Sequence, residues 1–140
     1  MSRSLSDFLG CYAITRVIED SHADQVLHFE GEASVTASLE GAIYAETGKM
    51  TFPNGQSFQS ERRYLWIDDG ALVRVSFEDG RPFHDFDPVQ GGAATEHLCG
   101  EDMYRGGYDF SEWPRWSLTW AVSGPRKDYR SHSMFTLLAQ

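Results

Sequence analysis

The chain is poor in the features that mark exported, membrane-spanning or nucleic-acid-binding proteins. No apolar run approaches the roughly 20 residues that a helix needs to cross a bilayer. The opening stretch Met1-Ser2-Arg3-Ser4-Leu5-Ser6-Asp7 lacks the apolar core of a secretory signal. Cysteine is scarce, with Cys11 and Cys99 the only two in 140 residues. Without an export signal these are expected as reduced thiols rather than a disulfide, and the expected compartment is the cytoplasm. Basic residues are few, 12 Lys and Arg against 21 Asp and Glu, for a formal net charge of −9. Such a charge repels polyanions at long range. The one tight basic group, Arg126-Lys127 with Arg130, is too small for a nucleic-acid stripe. Neither nucleic acid nor a membrane is an expected partner. Also missing are a phosphate-binding loop, a nucleophile elbow and a paired-carboxylate signature.

What the chain has in abundance is punctuation. Leu39-Glu40-Gly41, Pro53-Asn54-Gly55, Asp69-Gly70, Asp79-Gly80, Gly91-Gly92, Gly100 and Ser123-Gly124-Pro125 divide it at short, even intervals. The runs between them are rich in Val, Tyr, Phe, Trp and Thr and alternate in polarity, the pattern of an antiparallel meander. About ten strands are predicted: 12–19, 25–37, 42–51, 56–67, 71–78, 81–86, 93–99, 103–110, 117–122 and 127–137. Ahead of them, Ser4 to Gly10 reads as one short helix, with Ser4 as N-cap, Leu5, Phe8 and Leu9 on one face and Gly10 as the stop. So short a helix is stable only when docked, and covering an open barrel end would serve. With no repeat, linker or low-complexity tract, residues 1–140 form one domain, long enough for an ordinary core.

Alternation assigns the side chains to faces. Phe58, Ser60, Arg62, Tyr64 and Trp66 share one face of the fourth strand. Val73, Val75 and Phe77 align in the fifth, and Thr95, His97 and Cys99 in the seventh. Tyr104, Gly106, Tyr108 and Phe110 align in the eighth, and Trp116, Leu118, Trp120 and Val122 in the ninth. Lys127, Tyr129, Ser131, Ser133 and Phe135 align in the tenth. A sandwich core wants dry aliphatic faces, whereas these mix rings with polar groups. A barrel with a cavity accommodates such a mixture, because water or a ligand satisfies the polar ends. Gly31 and Ala33, beyond Phe29, are expected to leave room inside.

Several blocks of the second half carry a resemblance. They are Asp79-Gly80-Arg81-Pro82-Phe83-His84 and His97-Leu98-Cys99-Gly100-Glu101-Asp102-Met103-Tyr104, then Trp116, Trp120 and Gly124-Pro125-Arg126-Lys127-Asp128-Tyr129. Together they resemble an uncharacterised bacterial and fungal family of unknown function marked by a Gly-Pro-x-Lys-x-Tyr motif near the C-terminus. The resemblance runs from Phe8-Leu9-Gly10 onward. It implies a lipocalin-like (calycin) barrel and no established activity, so it transfers no catalytic residues. A looser similarity of position concerns fatty-acid-binding proteins, which use an Arg-x-Tyr pair on the last strand to hold a carboxylate. Here Lys127-x-Tyr129 stands there, and Lys, a point charge, cannot form the bidentate fork of Arg.

Four constellations are candidates for function, each with a structural alternative. Arg62, Tyr64, Lys127 and Tyr129 would bring two cations and two phenols to a ligand carboxylate or phosphate. Alternatively, they pair with Glu46, Asp85 or Asp102, or face solvent. His84, His97, Cys99 and Asp102 suggest zinc, or haem through one axial histidine. No supporting spacing exists, however, and no metal or cofactor is expected. His84 beside Asp85, or His97 near Tyr104, would offer an acid and a base, although neighbouring strand residues point to opposite faces. The aromatics serve either as packing or as a stacking surface.

The reading is therefore all-β: an antiparallel up-and-down lipocalin-like barrel of about eight to ten strands, plugged by the N-terminal helix. It is expected to bind a small amphipathic or aromatic acidic molecule. Arg62 and Lys127 neutralise the acid, Tyr64, Tyr104 and Tyr129 orient it, Trp66 and Trp120 line the apolar part, and His84 and His97 line the pocket. Two alternatives stand beside it. One is a small isomerase or hydrolase using His97 or His84 as base. The other is a filled barrel that recruits a protein partner.

Overall fold

In the computed structural model, residues 3–140 are described. Met1 and Ser2, at the head of the stretch read above for an export signal, lie outside them. The chain forms β1 (Gly10–Asp20), β2 (Gln25–Ala37), β3 (Gly41–Thr51), β4 (Ser57–Asp69), β5 (Leu72–Ser76) and β6 (Pro82–Phe86). There follow β7 (Gly92–Ala93), β8 (His97–Cys99), β9 (Asp102–Asp109), β10 (Trp116–Ser123) and β11 (Asp128–Ala139). All pairings are antiparallel, in the order β6-β5-β4-β3-β2-β1-β11-β10-β9-β7, with β8 also on β9. Because β1 pairs with both β2 and β11, the sheet bends round on itself into a nearly closed barrel.

Eleven strands form where ten segments were expected, because the segment 93–99 is split. Its ends, β7 and β8, pair with β9, while its middle leaves that ladder to meet β6. The Thr95 amide donates to the Asp85 carbonyl at 3.1 Å, and the Asp85 amide donates to the Thr95 hydroxyl at 2.8 Å. Thr95 thus bridges the seam between the first and last staves. A barrel without such a bridge would leave two open edges of unpaired backbone groups.

The N-terminal helix is shorter than predicted, a single 3-10 turn over Leu5–Phe8, with β1 starting at Gly10. Ser4 caps it as expected, its amide donating to the Asp7 carboxylate at 2.8 Å. The docking argument holds. Phe8 is fully buried, edge-on to Trp66, Phe86, Phe110, Trp113 and Trp116, and its carbonyl accepts from the Tyr12 hydroxyl at 2.6 Å. Each edge-to-face pair is worth about 0.5–1.5 kcal/mol beyond its burial. This ring cluster is the floor of the barrel.

Gly31 does not serve to open space inside, contrary to expectation, and Ala33 is buried in the core. Gly31 lies opposite Gly48 in the β2–β3 register, and a side chain on either would strike the backbone of the other strand. The two glycines let the strands approach closely, which is what a glycine inside a strand commonly marks.

Candidate functional site

Alternation carries the polar and aromatic faces inward as the sequence indicates, and the interior holds a cavity of about 690 Å³. At about 30 Å³ for each water in the liquid, that is room for roughly twenty waters, within the range of small-molecule pockets. A filled barrel does not describe this interior. Of the lining residues Arg62, Arg81, Leu98, Cys99 and Gly100 are exposed, and they mark its mouth.

One wall is aromatic. Phe77, Phe83 and Trp120 form a run of near-parallel rings, with centroids 4.9 Å and 5.1 Å apart. His97 stands edge-on to Phe83 at 5.2 Å, and Tyr104 does so at 5.9 Å. His84 is buried between Phe83 and Trp120. Its Nε2 shares a 2.7 Å hydrogen bond with the Tyr108 hydroxyl, while Nδ1 has no partner. Burial, with a smaller push from His97, depresses the His84 pKa to about 3, so it is a neutral imidazole at pH 7. The same burial pushes the Tyr108 phenol up.

The facing wall is polar, and its centre is a pair that the sequence reading did not single out. Arg16 on β1 donates from Nη1 to Glu46 Oε2 at 2.8 Å and from Nη2 to Oε1 at 2.9 Å. Its Nε donates to Ser133 Oγ at 2.7 Å, and the Tyr44 hydroxyl donates to Glu46 Oε1 at 2.6 Å. Arg16 is 6% exposed and Glu46 2%. Burial works against both charges, yet their mutual hydrogen bonds and attraction prevail, holding the Glu46 pKa below its usual range and raising that of Arg16. A signal existed: Arg16 falls on the same face as Tyr12, Ile14 and Ile18, a cation on an otherwise apolar stripe. Its partner, 30 positions away, gives no local cue.

Eight of the nine candidate ligand residues line the cavity: Arg62, Tyr64, Trp66 and His84, with His97, Tyr104, Trp120 and Tyr129. Arg62 stands opposite Glu46 in the β3–β4 register, yet Arg16 holds that carboxylate. The ion pairs among the described residues leave Arg62 without a carboxylate within 4 Å. Tyr64 is pushed up by burial, and Tyr129 to about 12 by burial and then the neighbouring Tyr104 phenol. Both are protonated donors at neutral pH.

Lys127 is the ninth. It stands just before β11, exposed at the rim and outside the cavity wall. Its Nζ donates to the Tyr104 hydroxyl at 3.2 Å and lies 3.5 Å from Asp102, and the hydrogen bond to Tyr104 is the main cause raising its pKa. The pairing with Asp102 is one of the structural alternatives weighed for this cation. Gly124 packs on the same aspartate, and a side chain there would collide with the Asp102 carboxylate. The glycine and the lysine of the Gly-Pro-x-Lys-x-Tyr stretch thus fasten one side of the mouth.

Cys99 lines the rim while Asp102 turns to Lys127. Among the described residues no group of three His, Cys, Asp or Glu is placed to hold a metal ion. No helix among them is long and apolar enough to cross a membrane.

Residues 8–137 match a family described as one of unknown function, DUF6314. The chain belongs to that family. Among curated proteins none matches. A solved structure with a similar fold is the S-type phycobiliprotein lyase CPES from Guillardia theta, at a TM-score of 0.67 and 6% identity, over 97% of this chain and 91% of that one. At that identity the likeness concerns the fold alone. It places the DUF6314 chain among lipocalin-like barrels, as the resemblance in its sequence implied.

Proposed function

We propose that this protein is a receptor for a small amphipathic or aromatic molecule bearing an acidic group, held inside the barrel. One observation carries the reading: Arg62, on the cavity wall, has no ion pair within 4 Å among the described residues, because its cross-strand neighbour Glu46 is held by Arg16. A guanidinium next to a partly dry cavity favours an anionic partner, and the ligand acid supplies it. Tyr64, Tyr104 and Tyr129 offer O–H donors to the same group, and the Phe77–Phe83–Trp120 wall offers contact to an apolar body. A lipocalin-like fold shared with a phycobiliprotein lyase agrees with a barrel that handles small molecules, without naming one.

Trp66, Trp116 and Trp120 line the cavity, so the protein carries its own optical probe. Titrating tryptophan fluorescence with a panel of acyl and aromatic acids is expected to give saturable changes. Replacing Arg62 by Ala is expected to weaken the best acid by about 10- to 100-fold, the worth of a charge-assisted hydrogen bond. No saturable response from any acid in the panel overturns the proposal.

A further inference from the structure

We infer that the cavity selects molecules with one acid at one end, bound acid-outward at Arg62 and Tyr129 with the apolar end toward the floor, and rejects rigid molecules with acids at both ends. This rests on the receptor reading above and adds orientation and charge class to it.

The argument is the order of chemistry with depth. Arg62 is exposed to water, and Tyr129 pairs with Asp20 at the end of β1 remote from Gly10 and the Phe8 floor, so both belong to the open end. The charge of Arg62 is felt at the Tyr129 phenol, which burial keeps protonated. Cation and donor thus face the same space. Of the other two cations on the wall, Arg81 is paired with Asp79, and Arg16 bonds Glu46 through both Nη atoms and Ser133 through Nε. Glu46 also accepts from Tyr44, so the site is neutral as a pair and three of the five N–H donors of Arg16 are taken. A ligand carboxylate placed there would meet the charge of Glu46 as closely as that of Arg16. Below the pair the lining is Trp66, Trp116 and Phe135, ring surface without a cation. An acid pushed to that depth would be an unpaired charge in a dry environment, the most costly group to bury. One acid is therefore favoured at the mouth, and a second at the far end is opposed by both Glu46 and the floor.

The test uses three rigid probes of one shape: 2-naphthoate, its neutral amide 2-naphthamide, and 2,6-naphthalenedicarboxylate. Each is titrated into the full chain and into Arg62→Met by calorimetry and tryptophan fluorescence. The expected result is that 2-naphthoate binds about tenfold or more tighter than the amide and than the diacid. In Arg62→Met the acid loses its advantage over the amide, and an unchanged urea midpoint shows the variant to be folded, Arg62 being exposed. A diacid that binds as tightly as the monoacid overturns the inference and leaves the receptor reading standing. So does an acid preference that survives in Arg62→Met. A flat response to all three probes and to dodecanoate removes the receptor reading, and this inference with it.

Discussion

Arg16 and Arg62 share a wall and a charge but not a role. Arg16 is a structural cation whose removal strands a buried carboxylate. Arg16→Met is expected to lower stability in urea by about 3–5 kcal/mol, and Glu46→Leu added to it should recover most of that loss, because a buried pair costs far less to replace than to break. Were the double variant as unstable as the single one, the pair would not be the cause. Lys127 is a rim residue held in exposed contacts, so Lys127→Met is expected to shift stability by no more than about 0.5 kcal/mol. Its effect on acid binding should be smaller than that of Arg62→Ala, since it acts through the Tyr104 hydroxyl, and paired titrations of the two variants would show the ranking. Arg62, Tyr64 and Trp66 were legible because two-residue alternation carries them to one face. Arg16 was passed over because its meaning lies in a partner two strands away.

The strands themselves were the most readable level. Turn residues and alternation set nine of the eleven in place, since those signals are local. The exceptions are instructive. The segment 93–99 reads as one strand, but its centre is drawn off β9 by hydrogen bonds to Asp85 that no local pattern encodes. The N-terminal turn has apolar residues at helical spacing, yet only five residues lie between the Ser4 cap and the start of β1. The seam is the element most open to test. Thr95→Val keeps the branched shape and removes the acceptor for the Asp85 amide. It is expected to cost about 1 kcal/mol and to speed hydrogen exchange at Asp85 selectively. Unchanged exchange there would mean that the seam is held by other contacts.

For the molecule as a whole, acidity tests the interior. His84 has a pKa of about 3 in the fold against an ordinary 6.5, so between those values the unfolded chain binds a proton that the folded chain does not. Stability therefore rises with pH through this window and falls on acidification. From pH 6.5 to 5 the expected loss is about 2 kcal/mol. Glu46 is likewise held below its usual value, so its contribution has the same sign but a lower window. Its stabilisation is present above the ordinary carboxylate pKa and is lost only at lower pH, so the interval above pH 5 isolates the histidine. Urea midpoints at the two pH values should differ clearly in the wild type and much less in His84→Phe. An equal slope in both would assign the acid sensitivity elsewhere.

The brevity of β5 has an effect beyond the cavity. β5 pairs with β4 only from Leu65 to Asp69, so the stretch of β4 from Ser57 to Tyr64 has no ladder neighbour on that side. Bare strand edges invite a second chain to add on, the first step toward aggregates. Here Glu61-Arg62-Arg63 places three successive charges along that rail, and intermolecular strand addition would have to strip water from each. The arginine that faces the cavity thus belongs also to the fence that keeps one barrel from zipping onto the next.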